Sequence, residues 1–147
     1  MSLLVSKFEH PIDSKLRVSV PSDFRASLIC NDVDFIMLYP SIRNNCLEGC
    51  SIKRFQDISE MISNMNDYSD ERDALEFAIF AEATKVTIDK QGRMTLSKKL
   101  IEKYDFNNKV VFVGKGKFFE IWNEKDLAKK MDSLNNIKLK YQFFRGV

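Results

Sequence analysis

Asp89-Lys90-Gln91-Gly92-Arg93 repeats a pattern already present at Asp13-Ser14-Lys15-Leu16-Arg17, 76 residues earlier in a chain of 147. Each copy follows a short β-branched lead-in and is followed by alternating residues and then a brief helical run. The first continues through Val18-Ser19-Val20-Pro21 into a helix over 22–28, and the second through Met94-Thr95-Leu96-Ser97 into 98–104. A period of about half the chain makes one copy, rather than the whole chain, the unit of the fold. Half a chain of roughly 70 residues buries little core alone, so the two copies are expected to fold against each other.

The residue types explain the turn. Gly92 supplies the positive φ a tight hairpin needs without steric cost. Asp89 can accept backbone N–H bonds across the turn, as Asx side chains do. Arg93 leaves on the first residue of the outgoing strand, where it either pairs with Asp89 or reaches a phosphate or a guanine edge. On a single turn the structural Asp–Arg pair is the simpler reading. Two copies in register favour paired nucleic-acid contacts.

Composition narrows the class. Hydrophobic residues at 44% and charged residues at 30% are those of a globular protein. No apolar run reaches membrane-span length and the N-terminus lacks a signal-peptide pattern, so a cytoplasmic location is expected. Residues 1–80 hold 8 basic and 13 acidic side chains, net −5; residues 81–147 hold 15 and 8, net +7. A basic half suits a polyanion, and opposite halves suit head-to-tail self-association. Cys30, Cys46 and Cys50 with the lone His10 are too few for a zinc site, so reduced structural thiols are expected. With no nucleophile–base set and no metal cluster, the sequence reads as a non-enzyme with no cofactor, no metal and no small-molecule substrate.

Hydropathy places the remaining elements. Phe35–Tyr39 reads as a buried strand with Cys46–Cys50 as its hairpin partner, followed by a helix striped by Phe55, Ile58, Ile62 and Met65. Asn66–Ser69 breaks that helix. The segment 70–83, apolar nearly all round, reads as a connector wedged between two surfaces. Val110–Val113 and Lys117–Trp122 form the second hairpin around Gly114-Lys115-Gly116, which lies between strands and so is no phosphate loop. Asn123, with Asp126 three on, caps a closing helix striped by Leu127, Met131 and Leu134. The alternation of Ile137, Leu139, Tyr141 and Phe143 favours a strand or extended arm.

With both halves laid out, the chain resembles the MraZ family, transcriptional regulators of the division and cell-wall gene cluster of bacteria. The two turns carry the likeness, with Phe35–Pro40, Cys46-Leu47-Glu48, Val111–Gly114 and Phe119–Asn123 beside them. The resemblance implies a mixed α+β fold: two AbrB-type swapped-hairpin modules in tandem, forming a pseudo-two-fold β-barrel with connecting and flanking helices. On that plan the first module spans 5–52, connecting helices 53–83, the second module 84–127, and a helix end and tail 128–147. It also implies ring-shaped, octamer-like homo-oligomers that bind direct repeats in promoter DNA within the nucleoid. The DNA-facing residues would be Lys15, Arg17, Lys90 and Arg93, with Asp13, Asp89 and Gly92 shaping the turns. Leu16 stands where the family usually has Gly. The first turn must then find its unusual backbone conformation at another residue or adopt a different one. Ser97 replaces the proline that Pro21 preserves and is expected to cap its helix equally well. A toxin-neutralising antitoxin of the AbrB kind is the alternative, although such proteins pair one module with a disordered arm.

Overall fold

Val18 and Met94 face each other across a short antiparallel ribbon, and the rest of the chain is arranged symmetrically about that pair. The structure is a computed structural model and describes residues 3–29 and 33–140. Its first half contains β1 (Lys7–Pro11), β2 (Arg17–Ser19), α1 (Ser22–Leu28), β3 (Phe35–Pro40), β4 (Leu47–Cys50) and α2 (Ile52–Ser63). A helix α3 (Asp70–Leu75), continued by a π-helical turn Glu76–Phe80, leads to the second half. There β5 (Thr84–Thr87), β6 (Arg93–Thr95), α4 (Lys98–Lys103), β7 (Lys109–Gly114), β8 (Phe119–Trp122) and α5 (Glu124–Lys140) repeat the order.

The sheet order β1-β7-β8-β4-β3-β5 reads the same from either end once the halves are exchanged. Strand β1 of the first half pairs with β7 of the second, and β5 of the second pairs with β3 of the first. This is a tandem swapped-hairpin arrangement. The β2–β6 ribbon lies over the core face of the six strands and is tied to β1 through the Ile12–Val18 bridge. Val18, Val20, Met94 and Leu96 point inward from the ribbon and join Ile36, Leu38, Phe112, Phe119 and Ile121 in one cluster. Phe24 from α1 meets Phe112 and Phe119 there at ring-centroid distances of 6.3 and 5.7 Å. Each such buried ring contributes roughly 1.5–3 kcal/mol through area removed from water.

The outer face of the sheet is covered on one side by α2. Ser51 caps this helix by accepting the Arg54 N–H at 3.1 Å, and Ile58 and Ile62, one turn apart, pack on Tyr39, Cys50 and Ile79. Cys46 and Cys50 are free and buried, and burial pushes the Cys50 thiol up to about 12, away from thiolate chemistry. Cys30 lies outside the described residues.

Two expectations fail. The 70–83 connector is not wedged between two surfaces: Ile79 is buried, but Phe77 is 67% exposed and Ala74 and Ala81 are exposed. Alanines enlarge an apolar count without supplying area worth burying, so composition overstated the contact. The alternation after Leu134 is not a strand as far as Lys140, because α5 continues through it. Leu127, Met131, Leu134 and Ile137 keep helical spacing, and a capped helix propagates more cheaply than a lone strand forms. Tyr141 and Phe143 lie outside the described residues.

At the centre of the sheet, Glu48 and Glu120 are direct cross-strand partners on the pseudo-dyad. Glu120 is 4% exposed and satisfied by Trp122 Nε1 at 2.9 Å and Asn44 Nδ2 at 3.2 Å. Burial holds the Glu48 carboxyl above its ordinary value of 4.5, and the facing Glu120 adds to the shift. A carboxyl raised on folding contributes most stability below its unfolded pKa and loses it as pH rises through the folded one. Glu48→Gln is therefore expected to raise the denaturation midpoint at pH 7 and leave it nearly unchanged at pH 4, as thermal unfolding across that range will show.

Candidate nucleic-acid interface

The two turns are built alike, bond for bond. In the first, Asp13 Oδ1 accepts the N–H groups of Lys15 and Arg17 at 2.9 and 2.8 Å, and Asp13 Oδ2 accepts Arg17 Nε at 2.8 Å. In the second, Asp89 Oδ1 accepts Gln91 and Arg93 N–H at 2.9 and 3.0 Å, and Oδ2 accepts Arg93 Nε at 3.1 Å. Backbone bonds Asp13 N to Arg17 O and Asp89 N to Arg93 O, each 2.9 Å, close the two hairpins. These donors, led by the arginine backbone N–H, hold both aspartates below the ordinary 3.8.

Leu16 itself supplies the left-handed residue, at φ +64°, matching Gly92 at +79°. Neither expected alternative for the first turn holds: the conformation is neither moved elsewhere nor replaced. The steric cost of a branched side chain there is about 1 kcal/mol. The Asp13 bonds and the cross-ribbon bond from Leu96 N to Leu16 O, 2.9 Å, hold it in place. Its counterpart, Val20 N to Gly92 O, is also 2.9 Å.

Arg17 and Arg93 leave their turns onto the outward face of the ribbon. Arg17 pairs with Thr95 and Ser19 with Arg93, while Val18 and Met94 point inward. Each guanidinium is held by Nε, and its terminal nitrogens have no hydrogen-bond partner among the described residues. The arrangement presents two oriented forks, each with an exposed hydroxyl residue directly opposite it across the ribbon. A two-stranded ribbon of this kind fits the width of a DNA major groove. Lys15 and Lys90 are both exposed but not equivalent, since a shift of 76 places Lys15 on Gln91 and Ser14 on Lys90.

Three residues at this site were not singled out from sequence. Ser19 and Thr95 were marked only by the Arg-x-Ser and Arg-x-Thr alternation after each turn. Arg25 reaches from α1 to the other half, donating Nη1 to Gln91 O at 3.4 Å. A Cβ built on Gly92 would lie 1.4 Å from that nitrogen, so any side chain there would push the Arg25 guanidinium aside in addition to straining a φ of +79°. Ser97 caps α4 by accepting Leu100 N–H at 3.1 Å, as expected of it.

The cross-paired halves and twin braced turns define a tandem swapped-hairpin protein of the AbrB type. A family model described as "MraZ protein, putative antitoxin-like" matches residues 79–143. Proteins named transcriptional regulator MraZ are similar over nearly the whole chain. That of Rickettsia akari is 38% identical over 143 residues, covering 97% of this chain and 96% of its own. Those of Rickettsia canadensis and Rickettsia bellii are 39% and 41% identical, each covering 93% of this chain and 92% of their own. The chain belongs to the MraZ family.

Leu16→Gly relieves the left-handed strain but loosens the unfolded chain, so a net gain of about 0–1 kcal/mol is expected from denaturant unfolding. A loss of more than that would show that the Leu16 side chain stabilises the turn by packing. Carboxyl-carbon NMR titration is expected to place Asp13 and Asp89 both below 3.8. Carboxyls lowered on folding contribute stability above their unfolded pKa and lose it as pH falls through the folded one. The turns are therefore expected to loosen only on strong acidification.

Proposed function

We propose that this chain is a sequence-specific DNA-binding transcriptional regulator, acting as a repressor at direct repeats upstream of the division and cell-wall genes. The observation that carries this reading is the pair of Asp-braced arginines on one outward ribbon face, each with its terminal nitrogens unengaged among the described residues. Arg17 and Arg93 read base edges, and Lys15 and Lys90 take phosphates. The names of the similar rickettsial proteins support the regulatory role. On this reading the modules run 5–52 and 84–127, separated by the helices of 53–83 and followed by a helix end and tail, 128–147. The protein is non-enzymatic, works in the cytoplasm at the nucleoid, and assembles as a ring-shaped homo-oligomer. Ring assembly draws on the −5/+7 division of charge and lets several weak modules engage successive repeats through effective concentration.

The experiment is a binding titration on DNA from upstream of the chain's own gene, against a scrambled duplex. Arg93→Ala and Arg17→Ala are each expected to cost about 1–3 kcal/mol per engaged site and to relax discrimination between the duplexes. Because the two turns share one geometry, the two losses are expected to be similar. Lys90→Ala is expected to weaken both duplexes alike and to lower the salt slope by about one unit. Circular dichroism and light scattering on the same variants separate a lost contact from a lost fold or assembly. An Arg93→Ala protein that keeps its fold, its oligomer and full operator affinity would remove the turn from the DNA-reading surface.

A further inference from the structure

The pseudo-symmetry supplies an internal comparison at the start of the two long helices. A shift of 72 residues carries β4 and α2 onto β8 and α5, and with them cap Ser51 onto cap Asn123. At α5 the surroundings are closed by hydrogen bonds. Asn123 Nδ2 donates to Tyr104 O at 3.1 Å and Asp105 O at 3.3 Å. Asn45, from the turn between β3 and β4, donates Nδ2 to Asp126 Oδ2 at 3.2 Å.

The same shift places Arg54 at the position of Asp126 and Lys117 at that of Asn45. An amide–carboxylate bond in one copy has thus become two cations in the other, and two cations cannot bond to each other. A cavity of about 270 Å³ lies beside these residues, its polar wall made by Lys53, Arg54, Lys117, Asp57, Ser27 and Ser51 and the rest by Leu4, Leu28 and Gly116. Three positive groups against one negative leave the lining at +2. Among the described residues, Lys53, Arg54 and Lys117 take part in no ion pair.

We propose that this cavity is a binding site for a phosphate group carried by a small molecule, as a phosphate monoester or inorganic phosphate. A monoester dianion balances the lining charge, offers enough acceptor oxygens for Arg54, Lys117, Lys53 and the two hydroxyls, and fits an arginine fork. The hairpin of Gly114-Lys115-Gly116 is no phosphate loop by its backbone, yet the residue after it, Lys117, carries one of the three cations to the site. The cavity draws on both halves, since α1 and α2 come from the first and Lys117 from the second. It is distinct from the two turns and its ligand does not depend on the DNA reading.

Inorganic phosphate titrated into the full chain, against chloride at equal ionic strength, is the test. Saturable binding by calorimetry and a rise in unfolding temperature of about 3–5 °C at tenfold excess over the dissociation constant are expected. Lys117→Asn, a change at an exposed residue, should weaken phosphate binding by about tenfold, the loss of one charge-assisted contact. The double variant Arg54→Asp with Lys117→Asn recreates the pair found at Asp126 and Asn45. It should stay folded and lose phosphate binding altogether. Wild type responding to phosphate no more than to chloride, or Lys117→Asn responding like wild type, would overturn the proposal. A short scrambled duplex titrated in phosphate-free buffer identifies the phosphate's source. Lys117→Asn should bind it as wild type does, whereas weaker binding would assign these cations to the DNA backbone and overturn the small-molecule site.

Discussion

The exchange of strands at Val18–Met94 is the constraint on which everything else rests. Neither β2 nor β6 has a ladder partner in its own half beyond a single bridge; each finds one three residues long in the other. The inward side chains of that ribbon, each about 1% exposed, are the lid of the core formed by the six strands. Removing one half would strip β1 or β5 of its partner and uncover Phe24, Phe112 and Phe119 together. A swapped arrangement therefore folds as one cooperative unit although it is written as two. The same exchange brings two distant pentapeptides to opposite ends of one short ribbon. The geometry of the outward face is thus set by the core beneath it.

Much of this was legible in the residues because the signals were local. The strands Phe35–Pro40 and Lys109–Gly114 were marked by the apolar runs Phe35–Tyr39 and Val110–Val113, and the caps Ser97 and Asn123 stood where helices begin. The bonding role of Asp13 and Asp89 followed from Asx chemistry. What escaped was long-range or depended on size. No spacing rule connects Arg25 to Gly92, 67 positions apart, and that approach exists only because α1 crosses to the other half's turn. The 70–83 segment misled because alanine counts as apolar yet buries little. The tail misled because period two and period 3.6 overlap over a few residues, and the helix cap at Asn123 decided between them.

Leu16 shows how much such a fold can force. A branched residue at φ +64° is unfavourable in isolation, yet the turn around it matches the glycine turn in every bond. Two backbone donors to one carboxylate oxygen, an arginine Nε to the other, and a cross-ribbon bond together outweigh a cost of about 1 kcal/mol. The glycine at the second turn is under a different demand, since Arg25 occupies the space a side chain would need. The bracing bonds let one position carry Leu, whereas at the other a side chain would also have to displace Arg25.

Duplication leaves each copy free to change: the core keeps its apolar character while its residues differ, Val18 against Met94 and Val20 against Leu96, and the apex residues of the turns differ as well. The backbone of the ribbon is nearly two-fold symmetric, so by itself it would fit a duplex equally well in either direction along the groove. Its side chains remove that equivalence. Lys15 stands at the third position of one turn and Lys90 at the second of the other, with Gln91 and Ser14 filling the complementary places. For a DNA-reading ribbon, phosphate contacts set register and orientation while base contacts set sequence. On the proposed reading, unlike lysine placement under like arginine placement would give the chain a direction on DNA without altering what its two arginine forks could read. Such polarity belongs to the apex residues of two turns whose backbones are the same.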